Sequence, residues 1–303
     1  MPLVGVECCA PVRNQGTVTL ERCLECAASR RNGCHYTYEL LKLMFDQVQD
    51  REDRVSTTTL TSKCLRSEFL KRAEDYTESP DKMFPAFRGT LIHGQLEGSK
   101  RQGSVAEARF HVDIPGLGHL SGSPDLLDVD EGILYDYKTT KENPRFAYPW
   151  PDHKDQLNIN RWLVDHATRV EVPGVGVYEG EECKQFRPVD WQALVVVYID
   201  NQGPKPLEVT KSEQVPTADG KRTKSVRVPD IWHDDYALAW IAERYEQVRD
   251  AFVGGELPPI PEAFEGWQHP LCGYCPKKGE CVTAYFRDNP VTEEKTYQIR
   301  RTA

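Results

Sequence analysis

The 303-residue chain has no run of ~18 apolar residues, which excludes a membrane-spanning helix. Residues 1–12 have neither a basic leader nor an apolar stretch of the export-signal kind, so a cytoplasmic protein is expected. Positive charge is in deficit as well: 38 Lys and Arg against 47 Asp and Glu leave a net charge of -9. A general polyanion binder is thereby excluded, because attraction to phosphate needs local positive charge. Nucleic acid itself is not excluded, since part of the acid can belong to metal ligands. Basic clusters at 100–101, 138–145, 221–227 and 300–301 each read as solvated faces. No internal repeat is present, and the composition fits neither a collagen-like, a coiled-coil nor a disordered chain.

Cysteine, by contrast, is plentiful. Of the ten, Cys8, Cys9, Cys23, Cys26 and Cys34 crowd the start, and Cys272, Cys275 and Cys281 crowd the end. In a reducing compartment, short cysteine spacings hold metal more often than they form disulfides. Residues 1–35 read as a small irregular module too short to bury a core. Cys23-x2-Cys26-x7-Cys34, with Cys8 or Cys9, offers four ligands for a structural Zn²⁺, and His35 is an alternative. Cys183 has no neighbour at metal spacing and reads as an ordinary thiol.

Residues 36–303 form the second expected domain. Tyr36, Leu40, Leu41, Met44 and Val48 recur at helical spacing. One helix is expected over 57–75 and another over 84–97. The period then switches to two over 106–114 and 119–129, around a Pro115–Gly118 turn. A further turn at 130–132 precedes a strand at 133–138. Residues 155–166 read as helix, 191–200 as a buried strand, 211–228 as an exposed hairpin and 234–253 as a long amphipathic helix. This order predicts an α/β fold with a sheet flanked by helices.

The most informative stretch is Ser121-Gly122-Ser123-Pro124-Asp125, followed by Asp136-Tyr137-Lys138. Asp136 and Lys138 are two apart on a strand and leave the same face. Asp125 precedes them across a turn, so a hairpin brings the three together. Two neighbouring carboxylates repel, and Mg²⁺ or Mn²⁺ favours such oxygen ligands. A nearby ammonium can orient water and offset developing charge. That is the chemistry of phosphodiester hydrolysis.

With this constellation the chain resembles the PD-(D/E)xK nuclease superfamily, specifically its RecB-like branch. The resemblance spans about residues 57–285. It implies a restriction-endonuclease-like mixed sheet flanked by helices. Gly89-Thr90-Leu91-Ile92-His93 is similar to the helix whose histidine binds metal in that branch. By the same resemblance His93, Asp125, Asp136 and the Tyr137 backbone carbonyl hold the ion, and Lys138 orients the attacking water. Gln156 matches the glutamine of the family's Q-x-x-x-Y helix and contacts substrate or the water network. Asn160 departs from its tyrosine, which leaves the DNA-positioning role to Arg161 or Trp162.

Cys272-x2-Cys275-x5-Cys281 needs a fourth ligand, and Cys64 is the leading candidate. This one-plus-three split is similar to that of iron–sulfur nucleases of the RecB branch, including AddB and the CRISPR-associated Cas-four exonucleases. The resemblance implies a 4Fe-4S cluster, although four thiolates also suit Zn²⁺. It further implies a metal-dependent DNA exonuclease acting at single-stranded ends, processing DNA for CRISPR adaptation with integration proteins or a helicase as partners. The alternatives are a recombination-linked or phage-linked RecB-like nuclease, and a non-catalytic iron–sulfur DNA-binding module.

Overall fold

A computed structural model describes residues 3–8, 16–29, 35–46, 55–73, 75–97, 103–140, 149–200, 202–216, 223–254, 258–259, 272, 275 and 281. Cys9, Cys34 and the basic pairs at 100–101 and 300–301 lie outside the described residues. The chain divides into two compact units. One comprises 1–51, 64–84 and 256–303, and the other 52–63 and 85–255.

In the first unit, strand Leu3–Glu7 pairs antiparallel with Thr17–Val18 and parallel with Tyr76–Glu78. Thr19 then caps a helix, Leu20–Ala28, by accepting the Arg22 N–H over 3.2 Å. The described residues of 1–35 thus include two strands and a helix where the sequence reads as irregular. Cys23 and Cys26 read as metal spacing there, whereas one turn apart they also sit on a short helix. The Tyr38–Asp46 helix buries Leu41, Met44 and Phe45, and the Tyr36 hydroxyl donates to Asp81 over 2.7 Å.

The single helix expected over 57–75 is two: Thr57–Leu60 and Leu65–Ala73. The Thr61 side chain turns back on the Thr57 carbonyl, closing the first piece. The second starts afresh, the Cys64 carbonyl accepting the Ser67 and Glu68 N–H groups. The two units divide at the same place, between Lys63 and Cys64.

The second unit carries two five-stranded sheets. In one the order is Gly203–Glu208, Ala193–Asp200, Ile133–Thr139, Leu126–Asp128, Ser104–Ala106, with Ala193–Asp200 parallel to Ile133–Thr139 and the other pairs antiparallel. In the other it is Gly176–Glu179, Arg169–Val172, Arg109–Ile114, Gly118–Gly122, Val55–Ser56. The fold is thus a mixed α/β arrangement with helices against the sheets. The turn that aligns Asp125 with the next strand requires Gly132, whose φ is +64° and whose Cβ would meet the Asp190 carbonyl oxygen at 1.9 Å.

The Pro151–His166 helix buries Leu157, Ile159, Trp162 and Leu163 together with two amides, Asn158 and Asn160. Asn158 donates to the Lys154 and Asp230 carbonyls and accepts the Trp232 N–H over 2.8 Å, which ties this helix to the approach of the Asp234–Gly254 helix. Among the described residues, no helix is long and apolar enough to cross a membrane.

Candidate active site

The site lies where one long hairpin is interrupted. Ser104–Ala106 pairs with Leu126–Asp128, and further on Arg109–Ile114 pairs with Gly118–Gly122 in the same register. That register sets Glu107 opposite Asp125. Pro124 has no N–H for the ladder, and Glu107 adopts φ +53°, unusual for a residue with a side chain. Ser123 Oγ bridges the gap by donating to the Glu107 carbonyl at 2.9 Å and the Ala108 carbonyl at 3.1 Å. The break belongs to two strands that regular pairing resumes on both sides.

His93 reaches this break from the Pro80–Glu97 helix. Its Nδ1 lies 3.3 Å from Asp125 and 3.5 Å from Glu107, and its Nε2 lies 3.0 Å from the Tyr137 carbonyl oxygen. Hydrogen bonding to Asp125 and then Glu107 outweighs burial and raises the His93 pKa to about 10. The helix passes the strand end at Gly89, where a Cβ would stand in ordinary contact with Thr139 Oγ1, at 3.5 Å. Ligand atoms of His93, Glu107 and Asp125 all lie within 4.8 Å of one another.

Beside this trio is a second group. Asp125 Oδ2 accepts the Tyr137 N–H over 2.5 Å. One residue back, Asp136 continues the register opposite Asp125 and is 1% exposed. Lys138 Nζ donates to Asp136 Oδ1 at 2.9 Å and to Gln156 Oε1 at 3.0 Å. Burial raises the Asp136 pKa; the Lys138 charge opposes this and Asp125 adds to it. Burial would lower the Lys138 pKa, but Asp136 and Asp125 raise it on balance, so the ammonium is held charged. Asp136 Oδ2 is buried with no hydrogen-bond partner, an acceptor lone pair available to a cation. A groove of about 990 Å³ runs past His93, Glu107, Tyr137 and Lys138.

A model of the PD-(D/E)XK nuclease superfamily matches residues 35–282. The chain belongs to the PD-(D/E)XK nuclease superfamily. Nucleases of this superfamily use Mg²⁺ or Mn²⁺ and hydrolyse nucleic acid. Among solved structures, one described as "Crystal structure of SSO0001" is 15% identical, covers 78% of this chain and 90% of its own, and has a TM-score of 0.41. No curated protein matches the chain.

The donor set fits a hard divalent ion of this nuclease family: clustered carboxylates, an imidazole, a backbone carbonyl and one unpartnered carboxylate oxygen. Of the residues expected from sequence, the structure brings His93, Asp125 and the Tyr137 carbonyl together, and sets Asp136, Lys138 and Gln156 beside them. Glu107 was missed. Counting outward from the Pro115–Gly118 turn would have placed it opposite Asp125.

Asn160 is 0% exposed and faces the sheet, where a Cβ on Gly122 would meet its Oδ1 at 2.6 Å. Neither residue proposed to replace it in gripping DNA lines the groove. Arg161 is tied to the Trp232 carbonyl, Asp234 and Asp165, and Trp162 is buried with its ring stacked on His166. Cys183 is buried, its thiol donating to the Tyr178 carbonyl over 3.4 Å.

In the first unit Cys64, Cys272, Cys275 and Cys281 share one electrostatic neighbourhood. Burial raises the Cys64 and Cys281 thiol pKa values, and the neighbouring cysteines raise them further. Arg66 opposes this at Cys281, while its Nη1 donates to the Pro258 carbonyl over 3.0 Å. The Ser67 hydroxyl lies 3.4 Å from Cys275 Sγ. Of the N-terminal cysteines, Cys8, Cys23 and Cys26 are half-buried.

Proposed function

We propose that this nuclease is a metal-dependent DNA exonuclease that hydrolyses phosphodiester bonds at single-stranded ends. The single observation that carries the reading is the convergence of His93, Glu107 and Asp125 within 4.8 Å beside the Lys138 ammonium. Mg²⁺ or Mn²⁺ bound there supplies Lewis-acid polarisation of the phosphate and a lowered pKa for the attacking water. His93, Asp125, the Tyr137 carbonyl and Asp136 Oδ2 would hold it, with Glu107 as a further carboxylate. Lys138, kept charged by Asp136, orients the water and offsets charge that develops on the phosphate. Gln156 fixes the ammonium from the other side, so the amine does not swing freely between rotamers. Strands hold Lys138 and the Tyr137 carbonyl, the hairpin break sets Glu107 against Asp125, and helices bring His93 and Gln156.

The four cysteines of the first unit are assigned to a 4Fe-4S cluster of the RecB-like type. What supports a shared centre is their common neighbourhood, since Cys64 and Cys281 each feel the charge of Cys275. Cys8, Cys23, Cys26 and Cys34 are assigned to a structural zinc. The setting suggested by resemblance to Cas-four proteins is trimming of DNA before CRISPR integration, alongside integration proteins or a helicase.

Two measurements test these assignments. End-labelled single-stranded DNA incubated with Mn²⁺ should shorten progressively; an unchanged ladder with metal-loaded protein would refute the exonuclease. Anaerobically purified protein should carry iron, inorganic sulfide and zinc. Zinc with no iron would reject the cluster.

A further inference from the structure

We infer that the tip of the Arg169–Glu179 hairpin, residues 173–177, is an apolar platform for the bases of an unpaired DNA strand at the nuclease centre. This deepens the nuclease reading above and rests on it. The tip is Pro173-Gly174-Val175-Gly176-Val177, and all five residues line the groove that passes the metal trio. Val175 in the turn is 62% exposed and Val177 on the strand 53% exposed, so two nearby aliphatic side chains are held open at the groove.

The tip is held firmly. Four residue pairs from Arg169↔Glu179 to Val172↔Gly176 form its ladder, and the Val175 N–H closes the turn on the Val172 carbonyl at 3.1 Å. Behind it Tyr178 packs edge-on against Phe186 at 5.0 Å, and Phe186 against Phe110 at 6.3 Å.

The charged side chains that line the groove are mixed in sign: Lys138 and Arg109, both on strands, with Glu107 and Glu171. Pro85, Ala86, Gly89 and Thr90 of the Pro80–Glu97 helix also line it and carry no formal charge. A strand entering with its scissile phosphate toward Lys138 can turn its bases to these uncharged residues and to the hairpin tip. Base faces are apolar and available only when the strand is unstacked; in a duplex they are already buried against their neighbours. The valines thus reward single strands and give duplex nothing. Arg109 and Glu171 lie at the foot of the hairpin, where Arg109 pairs opposite Glu171 in the ladder.

The test compares the full-length protein with Val175→Ser/Val177→Ser and with Val175→Leu/Val177→Leu, using end-labelled oligonucleotides and Mn²⁺. Both sites are exposed, so melting temperatures should agree closely. The serine variant should raise KM for single strands by about five- to tenfold while kcat stays within about twofold, and the leucine variant should behave as wild type. On a strand made abasic beside the cut, wild type should fall to the serine variant's level, and the serine changes should cost nothing more. Equal KM on the intact strand, or a serine penalty that persists on the abasic strand, would overturn the platform while leaving the nuclease intact. Absence of cleavage by wild type on every DNA would instead overturn the nuclease reading, and the platform with it.

Discussion

Glu107 stands opposite Asp125 across an interrupted hairpin, and its N–H donates to the Asp125 carbonyl over 3.2 Å. Like charges in directly opposed strand positions destabilise a sheet. Here the repulsion is relieved by His93, whose imidazolium faces both carboxylates. A divalent ion relieves it more completely. The strained backbone of Glu107 is understandable on the same terms, since such strain persists where surrounding structure holds it for a purpose.

Replacing Glu107 with Gln keeps the shape and removes one charge. Mn²⁺ affinity, followed by titration calorimetry, should fall about ten- to hundredfold. Cleavage should be lost at low Mn²⁺ and partly recovered at high Mn²⁺. Unaltered affinity would remove Glu107 from the site.

Lys138→Met leaves the metal trio untouched but strips Asp136 of its partner. The turnover number should drop by about a hundred- to a thousandfold with Mn²⁺ binding retained. Gln156→Leu removes only the second anchor of the ammonium, worth ~1–1.5 kcal/mol, and should cost about tenfold. A Gln156 variant as inactive as the Lys138 variant would mean that Gln156 has a direct role in the reaction.

Acid sensitivity should centre on His111, away from the metal trio. Burial lowers its pKa to about 4; Glu171 opposes that, while His119, Arg109 and Arg169 reinforce it. Its Nδ1 lies 3.1 Å from His119 Nε2, and Ser121 is its neighbour across the strand pair. Because the folded pKa lies below the unfolded value of ~6.5, this residue's contribution is complete above pH ~6.5 and is lost as pH falls toward 4. After allowance for screening the loss is on the order of 1–2 kcal/mol. Denaturant midpoints from pH 7 to 4 should fall less steeply in His111→Gln than in wild type. Identical slopes would contradict the assignment.

Asn160→Tyr would install the residue that the Q-x-x-x-Y pattern carries. Asn160 is fully buried against Gly122, so the larger ring should cost about 1–3 kcal/mol of stability without improving DNA binding. Tighter DNA binding with normal stability would show that this helix faces the groove differently.

The sequence exposed the part of the site that is local. Pro124-Asp125, the turn at Gly132 and the two-residue spacing of Asp136 and Lys138 are short-range facts, and strand geometry converts them directly into a shared location. Gln156 came from resemblance to the family's Q-x-x-x-Y helix, and it does reach Lys138. Glu107 was harder to see because its meaning depends on the register of a hairpin eighteen residues across, which no local pattern announces. Around Cys23 and Cys26 the short cysteine spacing drew the reading to ligands, and the helix that carries both was not expected. The break at 61–64 falls where Leu60 and Leu65 are five residues apart, off the three- or four-residue helical repeat, and the hydrogen bonds of Thr61 and Cys64 end one helix and begin another. Asn160 shows that a motif position can be kept in sequence order and still be turned into the core.

The most direct test is cleavage of end-labelled single-stranded DNA with Mn²⁺, run beside Mn²⁺ titration, for wild type, Asp125→Ala and Lys138→Ala. The account predicts an active wild type and two inactive variants with unchanged iron content, with Mn²⁺ binding weakened in Asp125→Ala and kept in Lys138→Ala. Equal cleavage by all three proteins, or an iron- and Mn²⁺-loaded wild type that leaves the DNA intact, would contradict it.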